Sequence, residues 1–344
     1  RSNTEEFIGS ISAFFDLFDG KLQNSVFISQ SDINRDYYSN GSLSFGAEGK
    51  RELIRYQGNI EVNKFNKIAF GLESEESKVD SDKSTIDGSF LLYEFRPTNK
   101  IIISTGVRND DHEGFGSKTT RRISGTFKPL NNLIIRSSWG EGFKAPTIFQ
   151  STYFCCGATS ANSLIRPETS SSYDVGFELF FNDMNSNLSI TYFDQDINDQ
   201  INFSFGVGGY ENIDRVNSKG FEVTLDYQIS KPISIYANYS YIDSVDGNGS
   251  SLFYVAKDSG EVGLIYDALK NYSGSIIARY NGPETSGYGK IDSWVRIDIN
   301  GSYRLSSSSE LYLRIENLLD EEYQQIFGYG TPERSGFIGL KAEF

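Results

Sequence analysis

Phe221-Glu-Val-Thr-Leu-Asp-Tyr227 is followed by Gln228-Ile-Ser-Lys-Pro232 and then by Ile233-Ser-Ile-Tyr-Ala-Asn-Tyr-Ser-Tyr241. Both outer segments read in steps of two. Successive side chains of a β-strand point to opposite faces. Phe221, Val223, Leu225 and Tyr227 therefore share one face, and Glu222, Thr224 and Asp226 share the other. The next segment sets Ile233, Ile235, Ala237, Tyr239 and Tyr241 against Ser234, Tyr236, Asn238 and Ser240. Between them, Ser230-Lys-Pro232 holds residue types that make tight reversals. The stretch is a pair of antiparallel strands, each apolar on one face and polar on the other.

Working outward, the same period recurs along the chain, and helical periodicity is almost absent. Strands are expected near 7–18, 21–33, 49–62, 66–77, 85–96, 100–108, 119–128, 132–140, 171–182 and 186–196. Further strands are expected near 214–229, 232–243, 255–267, 271–281, 291–304, 309–316 and 334–344. Most are close to the length that a tilted membrane strand needs. The last one, Arg334-Ser-Gly-Phe-Ile-Gly-Leu-Lys-Ala-Glu-Phe344, puts Gly336, Ile338, Leu340, Ala342 and Phe344 on one face. Its other face carries Ser335, Phe337, Gly339, Lys341 and Glu343.

The connections alternate between short and long. Short ones include Asp19-Gly20, 63–66, 97–100, 129–132, 182–186, 230–232, 268–271 and 305–309. Long ones fall near 34–48, 78–84, 109–118, 141–170, 197–213, 244–254, 282–290 and 317–333. Short turns on one side and long loops on the other are the pattern of an outer-membrane barrel. The expected fold is all-β, an antiparallel transmembrane β-barrel. Strand one begins on the long-loop side and the last strand ends on the short-turn side, so the count is odd. Bacterial single-chain barrels have even counts, and a closed barrel leaves no edge facing lipid. At least one further N-terminal strand is therefore expected.

Composition agrees. Only 38% of the 344 residues are hydrophobic, yet aromatics reach 14%, with 26 Phe and 21 Tyr. Mean hydropathy is -0.40. Strands that are apolar on one face only, with aromatic belts at two interfaces, produce this combination. The net charge of -14 argues against a nucleic-acid partner, which needs a basic stripe. Arg1-Ser-Asn-Thr-Glu-Glu6 is not an export signal, since no apolar stretch follows a basic start.

Five segments carry a family resemblance. Gly106-Val-Arg-Asn-Asp-Asp-His112 and the residues on to Gly125 resemble the central barrel of TonB-dependent outer-membrane receptors. So does Ser138-Trp-Gly-Glu-Gly-Phe-Lys-Ala-Pro-Thr147. Arg166-Pro-Glu168, Asn217-Ser-Lys-Gly-Phe-Glu-Val223 and Glu316-Asn-Leu-Leu-Asp-Glu-Glu-Tyr323 with Gly328-Tyr-Gly-Thr-Pro-Glu-Arg334 match later motifs in order and spacing. The vitamin B12 receptor branch is the most similar, mainly around Asp110, Asp111 and His112. The resemblance implies a Gram-negative outer-membrane location and a barrel of 22 strands around an N-terminal plug. Residues 1–344 then correspond to the C-terminal strands, about 17 of the 22, with the plug and first strands missing. It further implies energy-coupled uptake of a scarce small organometallic ligand, probed first as a vitamin B12-like corrinoid. A ferric siderophore or haem on the same fold, a passive diffusion porin and an outer-membrane enzyme are the alternatives. The implied partners are outer-membrane lipid and the TonB complex, the latter through the missing plug. The resemblance implies no cofactor.

Among single residues, Tyr153, Phe154, Tyr210, Tyr254 and Tyr329 lie in long loops and are candidate ligand contacts. The alternative for each is an outer aromatic girdle. Cys155 and Cys156 are adjacent. They admit a vicinal disulfide, two free thiols, or bridges to segments outside this chain. No Cys or His recurs at ligand spacing, so no metal site is expected. Asp32 and Asp36 read as loop acids. His112 is the only histidine and is expected in a solvated loop, which leaves no catalytic constellation. Arg136, Glu222, Asp226, Glu261, Glu316, Lys341 and Glu343 are expected on the inward, hydrated face.

Overall fold

A computed structural model describes residues 1–343 apart from 182, 184 and 268–270, with the Asp214 side chain also set aside. Phe344, and Asn182, Met184, Ala268, Leu269 and Lys270 of the connections expected at 182–186 and 268–271, thus lie outside the described residues. The strands are β1 (Ser2–Leu17), β2 (Leu22–Ser39), β3 (Ser42–Asn63), β4 (Asn66–Val79), β5 (Asp82–Thr98), β6 (Ile101–His112) and β7 (Gly116–Leu130). Next come β8 (Leu133–Lys144), one short helix α1 (Ile148–Thr152), β9 (Glu168–Phe181), β10 (Ser186–Ser204), β11 (Gly209–Ser230) and β12 (Ile233–Asp246). The chain ends with β13 (Asp258–Asp267), β14 (Tyr272–Asn281), β15 (Glu284–Thr285), β16 (Lys290–Ile291), β17 (Trp294–Ser306), β18 (Ser309–Glu316) and β19 (Ser335–Ala342). Among the described residues, setting aside the two-residue β15 and β16, seventeen long strands correspond one for one to the seventeen expected.

The chain divides into two compact units. The first holds Arg1–Phe127, Ser138–Ser172 and Asp196–Arg215, and the second holds Lys128–Ser137, Tyr173–Gln195 and Val216–Phe344. In the first, each of β1 to β6 pairs antiparallel with the strand that follows. In the second, β11 to β14 and then β17 to β19 do the same.

The ladder register shows that the first unit is built for a bilayer. Ile28, Ile54, Ser74, Asp87, Asp111 and Ser117 form one row across β2 to β7. On this face, apolar side chains lie toward the short-turn ends and polar ones lie beyond. The border between them does not follow the row. It falls at Ile28, Ile54, Leu72, Leu91, Val107 and Ile123, so it slips by six residues on reaching β7. Six residues are about 20 Å along a strand, and five strand spacings are about 24 Å. The strands therefore tilt by about 40° from the normal of the apolar band, the tilt of a membrane barrel. The opposite face carries Arg55, Glu73, Arg108 and Asp110 and is polar.

The second unit repeats the arrangement with aromatic girdles. Tyr227, Tyr266, Tyr272 and Tyr303 lie near the short turns, while Tyr239, Tyr241 and Tyr280 lie at the other end of the same face. The Tyr272 and Tyr303 rings are 4.8 Å apart. Between the girdles stand Val262, Leu264, Ile276, Ala278, Ile299, Leu313 and Ile338. From Tyr272 to Tyr280 is about 27 Å along the strand, or about 21 Å along the membrane normal at a 40° tilt. That is near the apolar height of an outer-membrane barrel. Apolar residues are therefore exposed by design: Ile11 is 76% exposed and Ile338 is 74% exposed. Glu222, Asp226, Glu261, Glu316 and Lys341 all fall on the other face, the one expected to be hydrated.

Several connections expected as long loops are ladder. The 34–48 connection contracts to the turn Asn40-Gly41, whose φ values of 51° and 81° are those of a tight hairpin reversal. The 78–84 connection becomes Asp80-Ser81, 109–118 becomes 113–115, and 197–213 becomes 205–208. Asp32 and Asp36 are therefore strand residues of β2, not loop acids. The reason is physical. Past the apolar band both faces are polar, so the alternation that signals a strand disappears. Backbone pairing needs no apolar side chain and continues. The connections that remain long are 145–167, 247–257, 282–293 and 317–334.

Gly220 explains one motif. A Cβ at this position would lie 1.8 Å from the Tyr241 carbonyl oxygen on β12. Only glycine lets the two backbones meet there.

Candidate functional site

The long-loop ends of β3 to β6 and the chain leaving β8 enclose a cavity of about 690 Å³ in the first unit. Its polar wall is a cross-strand ion-pair network. Glu73 on β4 binds Arg55 on β3 and, at 3.0 Å, Arg108 on β6. Arg108 also binds Asp110 at 2.6 Å. Arg51 reaches Glu75 at 2.6 Å, and Lys144 reaches Glu168 at 3.0 Å. The cations lining the cavity are Arg51, Arg108 and Lys144, and the carboxylates are Glu73, Glu75 and Asp110. The charges balance. Ala145, Pro146, Ile148 and Phe149 supply an apolar side.

His112 also lines this cavity and departs from expectation. It ends β6 and is only 7% exposed, so it is not in a solvated loop. Its Nδ1 accepts the Gly114 N–H at 3.0 Å, which leaves the ring proton on Nε2, donated to Ser84 Oγ at 2.9 Å. A backbone N–H thus holds the second nitrogen, at the place where a hydrolytic triad has a carboxylate. The ring packs 5.0 Å from Phe115 and tightens the hairpin tip.

Beside the cavity lies a cluster of five rings. Helix α1 starts with a capping box, in which Thr147 and Gln150 satisfy each other's backbone N–H groups. This sets Phe149 and Tyr153 in a stack at 4.7 Å. Tyr210 on β11 meets Phe149 at 6.0 Å and Tyr153 at 6.4 Å. Phe203 on β10 meets Tyr210 at 5.6 Å and Phe205 at 5.0 Å. The candidates Tyr153 and Tyr210 thus come together. The sequence reading missed Phe149 and Phe203, because a one-turn helix and a strand end leave no periodic signal.

Phe154 is 48% exposed and bridges through its backbone to Gly209. The sulfurs of Cys155 and Cys156 are joined in a vicinal disulfide. Their turn docks on the β10–β11 turn, with the Cys155 N–H donating to the Gly208 carbonyl at 2.7 Å. A Cβ on Gly208 would lie 2.3 Å from the Cys155 carbonyl oxygen. Arg166 closes the same connection by binding Asp199 at 2.5 Å, while its N–H donates to Asn212 Oδ1 at 2.8 Å.

Tyr254 and Tyr329 belong to the second unit and sit on different loops. Tyr254 is 43% exposed and donates its N–H to the Thr285 carbonyl at 2.8 Å. Tyr329 is 71% exposed, and nearby Phe327 stacks on Tyr288 at 6.5 Å. No group of three His, Cys, Asp or Glu residues among the described residues is placed to hold a metal ion.

Comparisons with known proteins agree with this geometry. The chain matches the family model of the TonB dependent receptor-like β-barrel over residues 4–318. It is 26% identical over 252 residues to the vitamin B12 transporter BtuB of Vibrio cholerae, covering 71% of this chain and 40% of that protein. BtuB of Photobacterium profundum is 24% identical over 366 residues, covering 100% of this chain and 58% of that protein. The chain thus spans about half the length of these relatives. Among solved structures, the siderophore receptor PirA of Acinetobacter baumannii superposes with a TM-score of 0.81 at 16% identity, covering 100% of this chain and 63% of that one. A variant of the ferric enterobactin receptor PfeA of Pseudomonas aeruginosa gives 0.82 at 15% identity, covering 100% and 62%. At such identities these two likenesses speak for the fold alone. With its tilted, girdled strands and this match across nearly its whole length, the chain belongs to the TonB-dependent receptors, as part of their outer-membrane β-barrel.

Proposed function

We propose that this chain is the barrel portion of a receptor that takes up a corrinoid across the outer membrane, driven through an N-terminal plug and the TonB complex. The observation that carries the reading is the charge balance of the cavity, where three cations face three carboxylates. Such a wall offers many hydrogen bonds and no net charge. It suits a large, amide-rich, nearly neutral ligand. Ferric tris-catecholates and haem are anionic and call for a surplus of cations. The likeness to vitamin B12 transporters supports the same choice. Tyr153, Phe154 and Tyr210 are the proposed apolar contacts of the first unit; Tyr254 and Tyr329 are proposed separately, each on its own loop of the second unit. The Cys155–Cys156 disulfide is proposed to stiffen the turn that carries Phe154.

The experiment is competition binding to the full-length receptor in outer-membrane vesicles. Cyanocobalamin should bind and should not be displaced by ferric enterobactin or haemin. Binding of either anion, with no binding of cyanocobalamin, would overturn the assignment and leave the fold untouched.

A further inference from the structure

Asn317 follows β18 and is 2% exposed, at a φ of 52°. Left-handed backbone favours Gly and Asn. Backbone shape alone accounts neither for the burial nor for the bonds. The Asn317 N–H donates to Asp298 Oδ1 at 2.9 Å. Its Nδ2 donates to the Glu321 carbonyl at 3.0 Å and to the Pro332 carbonyl at 3.3 Å. Its Oδ1 accepts the Glu321 N–H at 2.9 Å. One side chain thus ties the start of segment 318–333 to its end.

The acceptor for Asn317 is itself fixed. Asp298 on β17 is 5% exposed and is held by Arg279 and, at 2.8 Å, by Arg296. Arg296 also donates to the Tyr323 hydroxyl at 3.3 Å, and the Tyr323 ring lies 4.6 Å from Trp294. Arg279 continues to Glu261 at 2.5 Å, and Glu261 accepts from the Tyr236 hydroxyl at 2.6 Å. A chain of charges and hydroxyls therefore crosses β12, β13, β14 and β17 and ends on the loop. Burying an aspartate costs free energy unless it is well paired. Here the pairing places the acceptor for a single loop residue.

We propose that Asn317, held by Asp298, is the positioning residue of segment 318–333. Its side-chain bonds set where Phe327 and Tyr329 are presented. The consequence for ligand binding rests on the reading above that Tyr329 is a contact. The positioning itself does not.

The test compares Asn317→Ala, Asn317→Gly and Asp298→Asn in the full-length receptor in detergent micelles, by hydrogen exchange with peptide resolution. Glycine accepts the left-handed backbone and removes the bonds, so it separates the two roles. Both Asn317 variants should speed exchange in 318–333 at least about tenfold, with β17 and β18 unchanged. Asp298→Asn keeps an acceptor for the Asn317 N–H and should give a smaller change in the same segment. Wild-type exchange in Asn317→Gly would overturn the proposal, because the residue would then serve backbone shape only. Acceleration spread through β17 and β18 would also overturn it, since the role would belong to the wall. Cyanocobalamin affinity is measured in parallel. A loosened segment with unchanged affinity leaves the positioning intact and counts against Tyr329 as a contact.

Discussion

Leu264 and Ile265 are neighbours on β13, and substituting each with Arg should give opposite results. Leu264 pairs with Ile276, midway between Tyr272 and Tyr280, so it sits near the middle of the apolar band. Ile265 points the other way and pairs with Ser275, which lies opposite Asn300 on β17. An Arg on the lipid face near the midplane costs about 2–4 kcal/mol. At about 1.36 kcal/mol per tenfold change, that is about a 30- to 900-fold loss in the folding equilibrium. Leu264→Arg should suffer that loss. Ile265→Arg reaches water among Ser234, Ser275 and Asn300 and should cost less than about 1 kcal/mol. The assay is reversible folding of the receptor into lipid vesicles across a denaturant series, read by heat-modifiable gel migration. Equal costs at the two positions would refute the assignment of faces. A larger cost at Ile265 would invert it.

Other outcomes follow from named contacts. Gly220→Ala should destabilise the barrel by about 1–3 kcal/mol in the same folding assay, because the new Cβ meets a backbone oxygen that cannot swing aside. Intact mass of the folded protein should rise by two hydrogens after reduction of Cys155 and Cys156; an unchanged mass means free thiols. Arg166→Ala removes the pair with Asp199 and should open 145–167 to trypsin at Lys144, with cleavage no faster than wild type as the contrary result. Tyr153→Ala with Tyr210→Ala should weaken cyanocobalamin binding at least about tenfold; unchanged affinity would remove the five-ring cluster from the ligand site.

How much of this was legible in the sequence depends on position relative to the bilayer. Inside the apolar band one face must be greasy, so Phe221 to Tyr227 and Ile233 to Tyr241 announce themselves by alternation. Beyond it nothing enforces the contrast. Asp32-Ile-Asn-Arg-Asp36 therefore resembles a loop although it is paired residue by residue with β3. The tilt was hidden for a related reason. It resides in the slip between register and apolar border, and register is a property of two strands together. At the site, lone charges such as Glu73 and Arg108 carried no signal because their partners lie on other strands. The loop aromatics were visible by composition, but their grouping around Phe149 and Phe203 depends on a one-turn helix. Asn317 was legible only as part of the Glu316–Tyr323 motif, since its bonds to Pro332 and to Asp298 span the loop and the wall.

Uptake of radiolabelled cyanocobalamin by cells that carry the full-length receptor as their sole corrinoid route tests the central claim most directly. The account predicts accumulation that stops when an uncoupler collapses the proton-motive force and that survives an excess of ferric enterobactin. Accumulation that persists after uncoupling would describe a passive pore. No accumulation, with ferric siderophore or haem uptake in its place, would contradict the assigned cargo.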